Sequence, residues 1–594
     1  MSFVGSNILA GASGQGGGGY EIERSLRFNS SDSAYLNRTP STAGNSKTFT
    51  FSCWVKRCED INVWWDPLLT VWNGSNANTG TYMQFTIYSN NIGVVDNATW
   101  YKRVSAELRD FSAWYHIVFA IDTTQSTADD RIKIYLNGEL QTTYIANSTP
   151  AQNSDFVVNS NIAHYIGQRQ NSDYLNSYLA DVYLIDGQAL APTDFGETDG
   201  NGVWQPKEYA GTYGTNGFYL DFKDNSTAAA LGTDTSSNGN TWTVNNISVA
   251  TGAGNDSLVD SPTNGTQTDT GAGGEVVGNY ATLNPLANGL TLSNGNIDVS
   301  KSAGGWASVG STFGLPSGKW YFEYTATTAS DNHMVGVIST ATAFPTTTYM
   351  GSLSTAWAYQ SNGNKVHNDA FTGGQGTANS GGDVIQIAVD IDAGKIWFGI
   401  NNTYIGSGNP ASGSNPVYSN LSGTMMPAIS LAGTLNGSFN FGQRAFAYTA
   451  PSGYKALCTA NLPDPTIADG SLYFDTKLYT GNGGTQSISS LSFQPDLVWF
   501  KQRAGGSFSG GRSHELIDSV RGVEKALASS SNNSEFTSTG SLTAFNSDGF
   551  NVGSEDRVNE NNATYVAWAW DAGTSTVTNN DGSITSQVRA NPSA

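Results

Sequence analysis

The chain has 594 residues, of which 38% are hydrophobic, 11% aromatic and only 13% charged; this is too long for a single hydrophobic core, so about three or four domains are expected. A formal charge of -21, from 49 acidic against 28 basic residues, repels phosphate backbones and anionic lipid and excludes nucleic acid as a partner class. Three cysteines exclude a disulfide framework, and the lack of any apolar run of about 18 residues excludes a membrane-spanning helix.

The 68 glycines, with many Ser, Thr and Asn between short β-branched and aromatic runs, give an all-β signature with few helices. Residues 1–19 form a Gly-rich arm that cannot bury enough apolar area to fold alone. Phe3, Val4, Ile8 and Leu9 give that arm a small apolar payload, suited to docking on a partner. It has no basic n-region and no long apolar run, so neither a secretion signal nor a membrane anchor is expected. Cys53, Cys58 and Cys458 are expected to be reduced thiols, consistent with assembly in a bacterial cytoplasm.

Residues 20–200 read as strand after strand. In FTFSCWVKR, Phe49, Phe51, Cys53 and Val55 alternate with Thr50, Ser52, Trp54 and Lys56. WYHIVFAID is apolar on both faces, as a central strand would be. RIKIYLNGEL alternates up to Asn137-Gly138, a dipeptide that supplies the two positive φ angles of a type I′ hairpin turn. The order TFSCWVKR, WYHIVFAID, IKIYLNGEL, YIGQ, YLADVYLIDGQAL resembles the laminin-G-like, concanavalin A-like lectin sandwich family over about residues 22–197. That resemblance implies a two-sheet jelly roll that binds glycans or proteins through loops at one rim.

Residues 201–283 are expected to be a connector, with apolar pieces at GFYLDF and WTVNNISV and an extended, soluble linker over 250–278. LDFKDNS and DSLVDSPTNGTQ resemble connectors in marine phage virion proteins. Residues 284–447 predict a second sandwich. GKWYFEYTATT is a strand, and VIQIAVDIDAGKIWFGINN is a hairpin with Ile385, Ile387, Val389 and Ile391 on one face and Ile396, Phe398 and Ile400 returning. With GTMMPAISLAG and SFNFGQRAF, this segment resembles the SPRY family, which implies a bent sandwich used in protein recognition without catalytic residues. Residues 448–573 predict a small, mostly β domain containing FQPDLVWFKQR, HELIDSVRG, SDGFNVGS and ATYVAWAWDAG, similar to a C-terminal module of phage virion proteins. Residues 574–594 are expected to be a polar tail. The fold class expected is thus all-β: tandem β-sandwiches, a concanavalin A-like jelly roll, a SPRY-like sandwich and the small C-terminal domain.

Catalytic patterns are scarce. Gly14, Gly16 and Gly19 satisfy G-x-G-x-x-G with neither a strand before nor a helix after, and GLPSGKW has the wrong spacing for a phosphate loop. No E-x-D-x-x-E run offers the paired carboxylates of a sandwich glycosidase. His514, Glu515 and Asp518 form an acid-base cluster for which caps and ion pairs are the favoured reading. No metal site is expected from histidine spacing; a weak calcium site at Asp96 and Asn97, or at Asp129 and Asp130, is weighed against ordinary turns, and turns are favoured. No other cofactor is expected.

Loop aromatics are the more useful signal. Trp64 and Trp65 in NVWWDP cannot share one strand face, and an exposed ring stacks on a pyranose or a partner side chain. Tyr349, Trp357 and Tyr359 are the matching candidates in the second sandwich. The function expected is a phage virion structural protein, a tail fibre or spike, held to other virion proteins by the N-terminal arm. It would recognise a host-surface glycan or protein without catalysis and without membrane insertion, as a homo-oligomer, with a trimer favoured. The alternatives are a head decoration or architectural connector, and a polysaccharide depolymerase.

Overall fold

The computed structural model describes residues 19–58, 65–74, 82–97, 99–200, 202–265, 273–327, 332–376, 378–462, 467, 469–506, 512–573, 576–579 and 585–589. It is nearly all β, with 44% strand and 6% helix, in the tandem-sandwich arrangement that the alternation in the sequence predicts. No helix among the described residues is long and apolar enough to cross a membrane. Two compact units are present, one comprising 1–198 with 204–463 and the other 464–594 with 199–203.

The first unit holds two sandwiches. In the first, one sheet runs Glu139–Leu140, Ile132–Leu136, Trp114–Asp122, Thr48–Arg57, Ser177–Asp186, Ser25–Phe28, Ser257–Leu258, with Phe218–Leu220 also on Ser177–Asp186. The other runs Tyr144–Asn147, Thr99–Glu107, Asn91–Asp96, Tyr82–Tyr88, Trp65–Trp72, His164–Ile166, Tyr35–Arg38, Thr243–Asn245. Period-two alternation sends Phe49, Phe51, Cys53 and Val55 of one sheet against Met83, Phe85 and Ile87 of the other. The Asn137-Gly138 turn forms as read, with φ of 48° and 84°, and Leu136 pairs with Glu139 across it. A side chain at Gly138 would also enter the Trp204 ring, since a Cβ there would lie 2.6 Å from Cε3. All three cysteines are free and buried.

The connector departs from the expected soluble spacer. Phe218, Leu220, Phe222, Leu231 and Trp242 are buried in the first core, and Thr243–Asn245 and Ser257–Leu258 complete its sheets. Two buried ion pairs fasten the rest: Arg27 to Asp256 at 2.9 Å and Lys56 to Asp260 at 2.7 Å. Polar composition suggests solvation, but each carboxylate here meets a cation on the sheet and a backbone donor within the connector, Ser248 N–H for Asp256 and Tyr280 N–H for Asp260, which is the condition for burying a charge. Tyr178 donates to the carbonyl of Gly295 at 2.7 Å, joining the first sandwich directly to the second.

The second sandwich packs a sheet of Leu283–Asn288, Ala307–Ser311, Met425–Leu431, His333–Ser339, Ala356–Gln360, Lys365–His367, Ala370–Thr372 on a sheet of Thr291–Ser293, Asp298–Lys301, Leu435–Asn440, Lys319–Ala326, Val384–Asp390, Lys395–Ile400, Thr403–Tyr404. The predicted hairpin is in register, with Asp390 opposite Lys395 and Ile385 opposite Ile400. Ile385, Ile387, Val389, Ile396 and Phe398 enter the core.

The second unit has a six-stranded sheet, Phe474–Thr480, Thr564–Trp570, Leu497–Ala504, Glu515–Asp518, Lys525–Ala528, Phe536–Thr537, and a three-stranded one, Gln486–Ile488, Gly549–Val552, Leu542–Asn546. In Thr564–Trp570 it is Tyr565, Ala567 and Ala569 that are buried, while Val566, Trp568 and Trp570 are half-buried. The aromatic face of this strand therefore turns away from the core.

Candidate binding face of the first sandwich

A strand that turns every second residue into the core turns the alternate ones outward, and on the second sheet those outward residues are largely aromatic and polar. Cross-strand register arranges them in rows: Asn91, Tyr88 and Trp65; then Arg103, Gly93, Thr86 and Pro67; then Trp100, Val95, Gln84, Thr70 and Tyr165; then Tyr82 and Trp72. A register shift between Val94 and Val95 brings Arg103 opposite Gly93 and Trp100 opposite Val95, and the missing side chain of Gly93 lets the Trp100 ring lie across the sheet. A Cβ at Gly93 would stand 2.5 Å from Trp100 Cζ3.

Trp100 lies nearly parallel to Trp65, at 8° and 5.3 Å between centroids, and Tyr88 is 4.6 Å from Trp65 and 5.6 Å from Trp100. Two guanidinium groups engage these rings. Arg169 stands 4.5 Å over Trp65; it donates to the Tyr82 hydroxyl at 3.0 Å and pairs with Asp173 at 2.5 Å. Arg103 stands 4.9 Å over Tyr88 and 5.6 Å over Trp100 and donates to Asn91 Oδ1 at 2.9 Å. Planar guanidinium on an aromatic face adds cation–π attraction to packing. Beneath the rings, Gln84 and Thr70 are directly opposite each other and fully buried. Gln84 Oε1 accepts from Tyr82, whereas Gln84 Nε2 and Thr70 Oγ1 have no protein partner.

The sequence-predicted residues separate in space. Trp65 joins this face, but as the first residue of a strand facing out from the sheet rather than in a rim loop; register against Tyr88 decides this. Trp64 lies outside the described residues, as do Phe3, Val4, Ile8 and Leu9. Trp357 and Tyr359 are corrected from ligand-binding candidates to core residues: Trp357 is buried, donates to Asn420 Oδ1 at 3.0 Å and stacks on His367, and Tyr359 packs on Phe398. Only Tyr349 of that set is half-exposed, beside Trp306 and Phe371, with its hydroxyl bonded to Asp369. Tyr82, Tyr88, Trp100, Arg103 and Arg169 were missed. The alternation in YMQFTIY carried the signal, because Met83, Phe85 and Ile87 claim the core and leave Tyr82 and Tyr88 facing out.

The acid-base cluster disperses. Trp499 Nε1 donates to His514 Nδ1 at 2.9 Å. Glu515 is fully buried and accepts from Ser538, Ser541 and Arg557, and Asp518 pairs with Arg521. Of the calcium candidates, Asp96 ends the strand Asn91–Asp96, Asn97 follows it in a turn, and Asp129 and Asp130 lie in the short 3-10 helix Ala128–Arg131. Asp96 accepts from Asn97 at 3.2 Å, and burial pushes its carboxyl up to about 6; Asp129 and Asp130 face Lys102 and Lys133 at 3.8 and 3.2 Å. Among the described residues no group of three His, Cys, Asp or Glu is placed to hold a metal.

Three family models match the chain: one described as the concanavalin A-like lectin/glucanases superfamily over residues 28–194, the SPRY domain over 319–444, and a domain of unknown function, DUF7483, over 469–594. No curated protein matches. Solved structures similar to the chain include the SPRY domain of human HERC1 (17% identity, 26% of this chain and 96% of that one, TM-score 0.23). Stonustoxin is also similar (21% identity, 27% and 26%, TM-score 0.21), as is the TRIM65 PSpry domain (16%, 27% and 90%, TM-score 0.21). The chain therefore contains a concanavalin A-like lectin/glucanase-superfamily domain followed by a SPRY domain.

Proposed function

We propose that this chain is a non-catalytic recognition protein of a tailed-phage particle, a tail fibre or spike, that takes a surface glycan on the outer face of its first sandwich. The observation that supports recognition there is the half-exposed cluster of Trp65, Trp100 and Tyr88, held within 5.6 Å of one another and framed by Arg103 and Arg169. Aromatic faces stack on the apolar side of a pyranose, and one such contact contributes about 1 kcal/mol. A single site is then weak, and repetition around a trimer axis supplies avidity. The particle assignment rests on the motif resemblances of the three modules, with the N-terminal arm as the attachment to other virion proteins.

The test uses the full chain on host cells and a glycan array. Trp100→Ala should reduce binding at least fivefold while circular dichroism and melting temperature stay those of the parent. Unchanged binding by a folded Trp100→Ala chain, or release of oligosaccharide from polysaccharide by the parent, would overturn the reading. Particle location is tested separately by labelling the chain in intact particles, where head rather than tail labelling would refute a fibre. Native mass of the purified chain tests the trimer.

A further inference from the structure

We infer that the ligand of this face is an acidic saccharide, one whose carboxylate pairs with Arg103 while its ring lies on Trp100 and Tyr88. The inference rests on the glycan-binding reading above and narrows it. Net charge alone points the other way, since a chain of -21 disfavours anions at long range; but that field is screened within about 8–10 Å at physiological salt, so the groups at the site decide.

The two arginines there differ. Arg169 is neutralised by Asp173 at 2.5 Å. Arg103 has no carboxylate within ion-pair distance among the described residues: its hydrogen-bond partners are Asn91 Oδ1 at 2.9 Å and the Tyr88 carbonyl at 3.4 Å, both through Nη2, and Nε has none. Its neighbours in sequence are committed elsewhere, Lys102 to Asp129 and Glu107 to Arg109. The guanidinium is half-buried and held in a fixed position between Asn91 and the faces of Tyr88 and Trp100. A cation that is partly desolvated, oriented and lacking its own counterion favours an incoming carboxylate, and a planar fork selects that group by geometry. Gly93, opposite Arg103 in register and beneath the Trp100 ring, keeps the charge and the stacking surface within one sugar's reach.

The experiment presents the full chain with a panel of bacterial uronic-acid polysaccharides, each in native form and after carboxyl reduction to the neutral sugar. The expected result is at least one polymer bound about tenfold more weakly after reduction, the scale of a charge-assisted hydrogen bond, with binding weakened by salt. Arg103→Gln should lose this preference, read as the ratio of native-form to reduced-form affinity within the variant, and Arg103→Lys should recover part of it; Trp100→Ala should weaken both forms. Equal binding of both forms, or a preference that survives in folded Arg103→Gln, overturns the inference and leaves glycan binding standing. Binding of an acidic peptide in place of any saccharide, or of neither form by the folded parent, overturns both.

Discussion

Removing Asp260 tests whether the segment after the first sandwich is structural. Lys56 is fully buried, and its ammonium donates to Asp260 Oδ2 at 2.7 Å, to Asn279 Oδ1 at 2.8 Å and to the Tyr280 carbonyl at 2.7 Å. Asp260 Oδ1 in turn accepts from Trp114 Nε1 at 3.2 Å and from the Tyr280 amide at 3.3 Å. In Asp260→Ala the ammonium keeps two neutral acceptors and loses the carboxylate that pairs with it, while two donors lose their acceptor. Breaking a buried pair in this way costs about 3–5 kcal/mol, so the first unit should melt roughly 6–20 °C lower, on the scaling of about 2–4 °C per kcal/mol for larger domains. Differential scanning calorimetry of the full chain reads the shift. The double variant Lys56→Met with Asp260→Leu should recover the part of the loss that comes from the unpaired ammonium, because well-packed apolar residues replace buried ion pairs at little cost. A melting temperature within about 1 °C of the parent for Asp260→Ala would refute the structural role and restore a solvated linker.

Other outcomes follow from single sites. Gly138→Ala meets both a φ of 84° and the Trp204 ring, and should destabilise the first unit by at least about 1 kcal/mol in urea unfolding. Asp181 is buried, accepts from Tyr219 at 2.7 Å and Tyr20 at 3.2 Å, and burial pushes its carboxyl up to about 7. A raised carboxyl favours the protonated fold, so its contribution is present below the unfolded value near 4 and falls away as pH rises towards 7. The swing is of order 3–4 kcal/mol, and Asp181→Asn should flatten that part of the stability–pH curve. Glu515→Ala strips the acceptor from Ser538, Ser541 and Arg557 and should cost about 2–3 kcal/mol, read as a lower melting temperature for the C-terminal unit.

How much was legible depended on the range of the interaction. Alternation along FTFSCWVKR and VIQIAVDIDAGKIWFGINN determined strands, faces and hairpins, because a strand's two-residue period is local and the core accepts one face only. Asn137-Gly138 determined a turn for the same reason, its positive φ angles being a property of two residues. The order of such strands was enough to suggest two sandwiches and a small third domain.

What the tertiary structure decided was the fate of residues whose chemistry permits two environments. Trp357 and Trp65 look alike in sequence; one fills a core beside His367, and the other faces out opposite Tyr88, because cross-strand register assigns the face. Asp256 and Asp260 read as solvated linker acids until Arg27 and Lys56, more than 200 positions away, meet them in the interior. The binding face is likewise non-local, since Trp65, Tyr88, Trp100, Arg103 and Arg169 come from three strands and a hairpin. Sequence alone determined the periodic pattern that makes this protein β. Only the fold decided which aromatic rings and which charges face outward, because that depends on pairings between segments that no local pattern encodes.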